Sequence, residues 1–317
     1  MLKRILIIAL AFITSCGFVA CGDDNTSSSS DETRQEIKAG FYKDLEEENK
    51  YYVTSPEGLI TFGGIINEDI YHCPPGYSSR IFKNATVEIE SDIDMTDRIW
   101  TAMQLLGVDG LTIDGNGHKI SNLSLSSYNN IPNADNNYGE NKLGFIGEAR
   151  SNITLKNLTF DNACVESSGK WVSVVCGYHL VGSLHLENVD VINSEIVGSF
   201  SNDDSKRIGM LIGLTQFYDD TVELYLTDCD VDNCKITGYE SIAGLVGTFS
   251  NFTNYIGRWG ISNCSVTNCV FRAGNREEKY VNTFVIAAND QDSLPHAYFE
   301  ELGNRQADNT IELGVIR

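Results

Sequence analysis

The sequence predicts an all-β fold: a parallel β-helix, or β-solenoid, with a capping helix at its N-terminal end. Three features predict it. A six-residue pattern recurs along most of the chain at intervals of 31 to 40 residues, and apolar and polar residues alternate inside each copy. A helix-start signal precedes the first copy. Repeats of this length are typical of stacked architectures, and alternation with period two indicates strands.

Residues 1–20 have the pattern of a bacterial export signal. Two basic residues precede an apolar run, residues 5–13, that is too short to span a bilayer comfortably. The residues before Cys16 and those before Cys21 both resemble a lipobox, in which the cysteine is lipidated and becomes the first residue of the mature protein. Cys16 has the more usual preceding residues, whereas Cys21 is followed at once by a polar segment. We predict lipidation at Cys21, with Cys16 and an ordinary cleaved signal as alternatives.

The chain is strongly acidic. It has 44 Asp and Glu residues against 23 Lys and Arg residues, a formal charge of −21, and loss of residues 1–20 changes this charge to −23. Clustered basic residues supply most of the affinity for nucleic acids, so a nucleic-acid partner is excluded. The charge gives no attraction to anionic membranes, so acyl chains would have to hold the protein there. Acidic residues directly after the lipidated cysteine resemble a surface-export signal, which predicts an outer-membrane lipoprotein facing the cell exterior.

The rest of the chain divides into four predicted segments. Residues 21–38 are polar and predict a tether, and residues 39–84 form a capping segment. Residues 85–290 carry the repeats and predict the β-helix itself. Residues 291–317 are expected to form a C-terminal cap that contains the last strand.

One helix is predicted in the capping segment. Ser55 stands as N-cap and Pro56 as the first helical residue, and apolar residues then recur at helical spacing as far as Ile66. Two adjacent glycines, Gly63 and Gly64, weaken this helix, so packing must hold it. We expect the helix to cover the open end of the first coil and its sheet edge.

The repeated pattern is apolar, polar, Asn or Asp, apolar, polar, apolar. It occurs in five segments, Ile120–Leu125, Leu155–Phe160, Leu186–Val191, Leu226–Val231 and Ile261–Val266, with the Asn or Asp at 122, 157, 188, 228 and 263. In the last four copies a second Asn follows five residues later, at Asn162, Asn193, Asn233 and Asn268. A short apolar run that ends in glycine precedes each of these copies. Each copy is therefore expected to form one coil, with loops of varying length inserted between constant strands.

The second Asn of each copy is expected to form a ladder. Equivalent residues of neighbouring coils stack about 4.8 Å apart, so their amides can bond along the stack and satisfy one another in a buried position. Cysteines fall into two similar columns, Cys229 with Cys264 and Cys234 with Cys269. Each column is either a disulfide or a pair of reduced, buried thiols, and the in-register geometry favours thiols.

The chain resembles bacterial surface proteins with GLUG repeats. The segments that carry the resemblance are the predicted capping helix near Ser55–Asn67, Asp92–Met95, the turn Asp114–His118, Gly244–Gly247 and Ile261–Cys264. Together they cover roughly residues 51–275, although Gly244–Gly247 alone matches the tetrapeptide fully. The resemblance implies a single-stranded right-handed parallel β-helix of the pectin-lyase type. It also implies an association with adhesins and other exported proteins.

Catalysis is an alternative function, because the same fold also occurs in polysaccharide lyases and hydrolases. A glycoside hydrolase needs two carboxylates on one face, and Asp203 and Asp204 are the candidates, although a solvated loop tip explains them as well. Motifs of pectate lyases and clustered basic residues are absent from the sequence. Asp219 and Asp220 could bind Ca²⁺ through their carboxylates, but ordinary turn chemistry explains them equally, and no other cofactor is expected.

Binding is the function that the sequence favours. Aromatic residues occur beside acids in the inserted segments, and this combination suits stacking on a sugar while bonding its hydroxyls. The candidate residues are Phe217, Tyr218, Asp219, Asp220, Tyr255 and Trp259. The alternative is that these rings pack onto the body of the protein. We expect non-enzymatic adhesion or glycan binding, with a glycan or a host or cell-surface protein as partner. The alternatives are a polysaccharide lyase or hydrolase and a structural surface component.

Overall fold

Parallel β-strands make up most of the chain. The computed structural model describes residues 33–127, 142–198, 206–219, 221–239, 241–251, 258–276, 281–282 and 303–314. These strands form four sheets of 14, five, five and six strands. The pairings are parallel except at the N-terminal end, where the second strand is antiparallel to both the first and the third. The prediction of a mostly β chain with long parallel sheets is therefore confirmed.

The helix and strands have the following bounds. The α-helix is α1 (Pro56–Ile66), and a short 3₁₀ helix covers Ser79–Phe82. The first fifteen strands are β1 (Arg34–Lys38), β2 (Phe41–Asp44), β3 (Lys50–Val53), β4 (Thr86–Ile89), β5 (Ile93–Asp94), β6 (Met103–Leu105), β7 (Leu111–Asp114), β8 (Lys119–Ser121), β9 (Ser124–Ser126), β10 (Lys142–Leu143), β11 (Ile146–Arg150), β12 (Ile153–Asp161), β13 (Cys164–Ser167), β14 (Trp171–Val172) and β15 (Cys176–Val181). The others are β16 (Ser183–Ile192), β17 (Glu195–Gly198), β18 (Arg207–Gly209), β19 (Ile212–Phe217), β20 (Glu223–Thr227), β21 (Asp230–Asp232), β22 (Lys235–Gly238), β23 (Ile242–Ala243), β24 (Val246–Asn251), β25 (Arg258–Ser262), β26 (Ser265–Thr267), β27 (Val270–Ala273), β28 (Val281–Asn282), β29 (Arg305–Ala307) and β30 (Thr310–Leu313).

The chain visits the four sheets in a fixed order. Sheet B contains β6, β11, β15, β19 and β24, sheet C contains β9, β13, β17, β22, β27 and β30, sheet D contains β10, β14, β18, β23 and β28, and the other strands belong to sheet A. From β12 to β28 the order is A, C, D, B, and then A again. Each strand pairs with the strand one circuit later, as β12 does with β16 and β13 with β17. The sequence period is therefore the length of one circuit.

Two corners of each circuit are formed by residues in the left-handed conformation. The first lies within sheet A, at Asn157, Asn188, Asp228 and Asn263, whose φ angles are 52°, 55°, 54° and 53°. The second lies between sheets A and C, at Asn122, Asn162, Asn193, Asn233 and Asn268, with φ between 50° and 58°. Asn and Asp adopt this conformation more readily than other residues with a side chain. The recurrent Asn is thus explained by the backbone geometry of the corner.

The structure corrects the predicted alignment of the first copy of the repeat, Ile120–Leu125, with the later copies. Thr159, Phe160 and Asp161 pair with Lys119, Ile120 and Ser121, so Asn122 lies beside Asn162 rather than beside Asn157. The place beside Asn157 belongs to the turn after β7, where Asp114 Oδ1 accepts a hydrogen bond of 3.0 Å from Asn157 Nδ2. Asn122 at the second corner is followed by Leu, Ser and Leu, which matches the apolar, polar, apolar run after Asn157 at the first corner. The pattern alone therefore could not distinguish them.

Helix α1 begins where the sequence predicts. Ser55 Oγ accepts a hydrogen bond of 3.0 Å from the Gly58 amide, and Pro56 occupies the first turn. The helix packs its buried face on β2, β3 and β6, which belong to sheets A and B. Gly63 is needed for this packing, because a Cβ atom there would lie 2.7 Å from the Trp100 ring. The helix thus lies against β6, the last strand of sheet B, whereas the edge of sheet A is β1.

Two predicted boundaries differ from the structure. Strand β1 begins at Arg34, inside the segment predicted as a tether, and pairs with β2. At the other end, β29 pairs with β26 and β30 with β27, so parallel pairing continues into the predicted C-terminal cap. The inward residues of all these circuits form one apolar core. Among the residues with described structure, no helix has the length and hydrophobicity needed to cross a membrane.

Candidate functional site

The predicted aromatic surface is largely part of the core. Phe217 is only 2% exposed, and its ring centroid lies 5.6 Å from that of Phe249. Trp259 is half-buried and packs on Phe249 at 5.3 Å. Phe217 is therefore not available to a ligand, because its ring is packed in the apolar core. The prediction that Phe217 contacts a ligand is wrong. Tyr218, in contrast, is 60% exposed.

Asp219 closes a turn. Its Oδ1 accepts hydrogen bonds from the Thr221 amide at 2.8 Å and from the Thr221 hydroxyl at 2.5 Å. These bonds lower the pKa of the Asp219 carboxyl. The turn therefore explains the presence of an aspartate at position 219. Cys16, Cys21, Asp203, Asp204, Asp220 and Tyr255 lie outside the described residues.

The Asn column forms a hydrogen-bonded ladder at the surface rather than in the interior. Asn233 Nδ2 donates to Asn193 Oδ1 at 2.8 Å, as Asn162 does to Asn122 at 2.6 Å. Asn193 and Asn268 donate instead to the acids Asp161 and Asp232, at 2.9 and 2.7 Å. The four predicted Asn residues are exposed, which corrects the expectation of buried amides. Their role is structural.

The cysteine columns are pairs of free thiols. Cys229, Cys234, Cys264 and Cys269 are at most 2% exposed, and all four are free. The neighbouring Cys269 thiol and burial raise the pKa of Cys234. Cys234 Sγ also lies 3.2 Å from the Asp232 carbonyl oxygen, which can accept a weak hydrogen bond from it. These thiols therefore fill the core as small, buried side chains.

An accessible column of side chains crosses the outer face of sheet A. Thr154, His185, Tyr225 and Gly260 are in register on β12, β16, β20 and β25, and each is partly exposed. The His185 and Tyr225 rings lie 5.1 Å apart, tilted by 55°. A Cβ atom at Gly260 would lie 3.0 Å from the Tyr225 ring, so the absence of a side chain at Gly260 leaves room for this ring. We name these four residues the sheet A face.

Polar side chains flank the sheet A face on both sides. Ser183, Glu223 and Arg258 form one flank, with Arg258 Nη1 3.0 Å from Glu223 Oε1. Lys156, Glu187 and Thr227 form the other flank. Aromatic rings supply stacking surface, and the flanks supply donors and acceptors, so the face can bind a ligand that is apolar on one side and hydroxylated at its edge. The sequence patterns did not single out Tyr225, which alignment of outward positions between copies would have found.

A second polar cluster lies between sheets B and D. Lys142 Nζ and Glu148 Oε2 form an ion pair, and Arg150 Nε donates to Glu148 Oε1 at 2.6 Å. Lys142 also lies 5.2 Å from the centre of the Tyr178 ring, which stacks on Trp171. Burial lowers the pKa of Lys142 and raises that of Tyr178 to about 12. Perturbed pKa values often mark functional sites, but these groups bond one another and join two sheets.

Comparison with known proteins gives little further information. No protein-family model matches the chain, and no curated protein matches it. The chain is similar to a solved structure described as a "putative immunoglobulin A1 protease" from Bacteroides ovatus, with 12% sequence identity and a TM-score of 0.41, over 84% of this chain and 77% of that chain. A similarity this low supports no conclusion about activity.

Proposed function

We propose that this protein is a lipid-anchored surface protein that binds glycans on the sheet A face and does not cleave them. The observation that carries the proposal is the pair of partly exposed rings, His185 and Tyr225, side by side on neighbouring strands of sheet A. Sugar rings stack on aromatic faces, while their hydroxyls need hydrogen-bond partners at the edge. Glu223, Arg258 and Lys156 are placed to supply them.

The architecture we propose is a single-stranded right-handed parallel β-helix. The fixed order of the sheets and the strand pairing one circuit apart support one coil per circuit. Equivalent positions then repeat about every 4.8 Å along the stack. An extended glycan chain lying along the sheet A face would meet Thr154, His185 and Tyr225 in turn. The resemblance to GLUG proteins, the outer-membrane location and the anchor at Cys21, with Cys16 as alternative, belong to the same proposal.

A glycan array with the mature protein tests the proposal. Tyr225→Ala should weaken binding to the glycans that the wild type binds by about fivefold, because ring stacking contributes roughly 1 kcal/mol. Tyr225→Phe, which keeps the ring, should bind almost normally. The matched control is Tyr218→Ala, since Tyr218 is also an exposed tyrosine but lies outside the face.

Two results would contradict the proposal. If Tyr225→Ala binds as tightly as the wild type, the sheet A face is not the binding site. If incubation with the bound glycans releases unsaturated or reducing products, the protein is an enzyme rather than a binding protein.

A further inference from the structure

The sheet A face continues as a row of threonines on the strands that precede it. Thr112 on β7 is in register with Thr154 on β12, and Thr86 on β4 is in register with Thr112. All three residues are partly exposed, and the residue that follows each of them on its strand is buried. Since side chains alternate between the two faces of a strand, the threonines lie on the outer face. We name Thr86, Thr112 and Thr154 the hydroxyl row.

The hydroxyl groups of this row do not hold the protein together. In the part of the chain that the structure describes, none of the three hydroxyls bonds another protein group. Thr267, in contrast, donates through its hydroxyl to Asp232 Oδ1 at 2.6 Å. The hydroxyl row can therefore bond a ligand without breaking a contact inside the protein.

The hydroxyl row and the two rings belong to one line of residues that crosses seven neighbouring strands. These strands are β3, β4, β7, β12, β16, β20 and β25. Lys50 begins the line beside Thr86, and Gly260 ends it beside Tyr225. We name this line the strip. Its six intervals of about 4.8 Å give it a length of roughly 29 Å.

The spacing of the strip matches an extended sugar chain. The distance between neighbouring strands is close to the length of one residue in an extended, equatorially linked glycan. Successive sugars of such a chain would therefore meet successive strands and find the same kind of side chain at each step of the hydroxyl row.

The charged side chains beside the strip leave no excess of positive charge. Lys50, Lys156 and Arg258 each pair with an acid, at 3.2, 3.2 and 3.0 Å. Glu187, in register with Lys156, adds one more acid. Carboxylate, sulfate and phosphate groups are recognised by cations that are free to pair with them. The strip therefore favours an uncharged glycan over an anionic one.

We propose that the strip binds an uncharged, extended, equatorially linked polysaccharide through about six consecutive sugar residues, an inference that rests on the proposed function. The rings of His185 and Tyr225 stack on sugars at one end of the bound segment. Along the hydroxyl row, the threonine methyl groups supply apolar surface and the hydroxyls bond the hydroxyls of each further sugar. The polysaccharide runs across the strands, along the stack.

Titration calorimetry with oligosaccharides of defined length tests this inference. The probes are β-1,4-linked oligomers of glucose, of mannose and of xylose with two to eight residues, added to the mature protein. At least one series should bind. Its dissociation constant should fall with each added residue up to about six and then stay constant, because a longer chain meets no further strand.

A substitution in the hydroxyl row tests the contact directly. Thr112→Val removes one hydroxyl from the middle of the row and keeps the shape of the side chain. It should weaken binding of the six-residue oligosaccharide by about fivefold, the effect of one net hydrogen bond, and leave binding of the disaccharide unchanged. Thr159→Val is the matched control, because Thr159 is also a partly exposed threonine but lies beyond the first corner, outside the strip.

The outcomes separate this inference from the proposed function. A dissociation constant that stops falling at two or three residues would overturn the extended site and leave glycan binding at the rings. Binding of other glycans on the array, but of none of the three uncharged series, would overturn the substrate class alone. Equal weakening of short and long oligosaccharides by Thr112→Val would also count against the hydroxyl row. Only the failure to bind any glycan would remove the proposed function as well.

Discussion

His179 shows how one buried side chain can make stability depend on pH. It is fully buried, and its Nε2 lies 3.0 Å from the Gly182 carbonyl oxygen, which fits a neutral ring that donates one hydrogen bond. Burial, with a smaller contribution from the nearby His185, lowers the pKa of His179 to about 4. In the unfolded chain the ordinary pKa of 6.5 returns. The unfolded state therefore binds a proton that the folded state excludes.

We predict that the free energy of unfolding falls as pH drops from 6.5 towards 4, the two pKa values of His179. The full loss from this residue is about 3 kcal/mol, since each pKa unit corresponds to about 1.4 kcal/mol. Urea unfolding at several pH values in this window measures it.

The control is His179→Gln, whose amide can replace the Nε2 donor without titrating. This variant should show a much flatter pH profile above pH 5, where few carboxyls titrate. An equally steep profile in the variant would show that another group causes the dependence.

At the scale of elements, the corners decide how the strands turn. Asn193 lies at φ 53°, donates to Asp161 and accepts from Asn233. Asn193→Ala and Asn193→Gly both remove these amide bonds, but alanine alone also carries the cost of a left-handed backbone. We predict that the glycine variant is more stable than the alanine variant by about 1 kcal/mol. Urea unfolding of both variants provides the measurement.

The reverse order of stability would contradict the explanation of the corners by backbone conformation. A matched comparison at Ser194, the next residue, should show the ordinary preference for alanine over glycine, because Ser194 has no positive φ.

The sequence allowed the elements to be predicted more reliably than the direction of individual side chains. Ser55 and Pro56 are local signals, so the start of α1 was predicted correctly. The register of Asn122 was not, because two corners five residues apart share one pattern. Phe217 was placed at the surface although it is buried, since aromatic rings next to acids occur both in cores and in binding sites. The ion pair of Lys142 and Glu148 depends on contacts between sheets that no local pattern reveals.

For the whole molecule, the formal charge of −21 bears on the proposed lipid anchor. A charge of this sign gives no attraction to anionic lipids, so the proposed attachment would depend on the acyl chains. We predict that Cys21→Ser abolishes incorporation of labelled fatty acid in cells that produce the protein, while Cys16→Ser does not. If Cys16→Ser abolishes it and Cys21→Ser does not, the anchor is at Cys16. If neither the wild type nor the variants are labelled, the protein has no lipid anchor and residues 1–20 act as an ordinary cleaved signal.

Because each circuit pairs with the next, such a protein can change in length by whole circuits during evolution. Successive second corners lie 31 to 40 residues apart, yet the five-residue step between the two corners of a circuit is constant from Asn157 and Asn162 to Gly303 and Asp308. Variation in length is thus confined to other parts of the circuit. Duplication of one complete circuit would insert a new rung between existing ones. It would lengthen the sheet A face by one residue, so under the proposed function the number of repeats in the gene would set how long a glycan the face can bind.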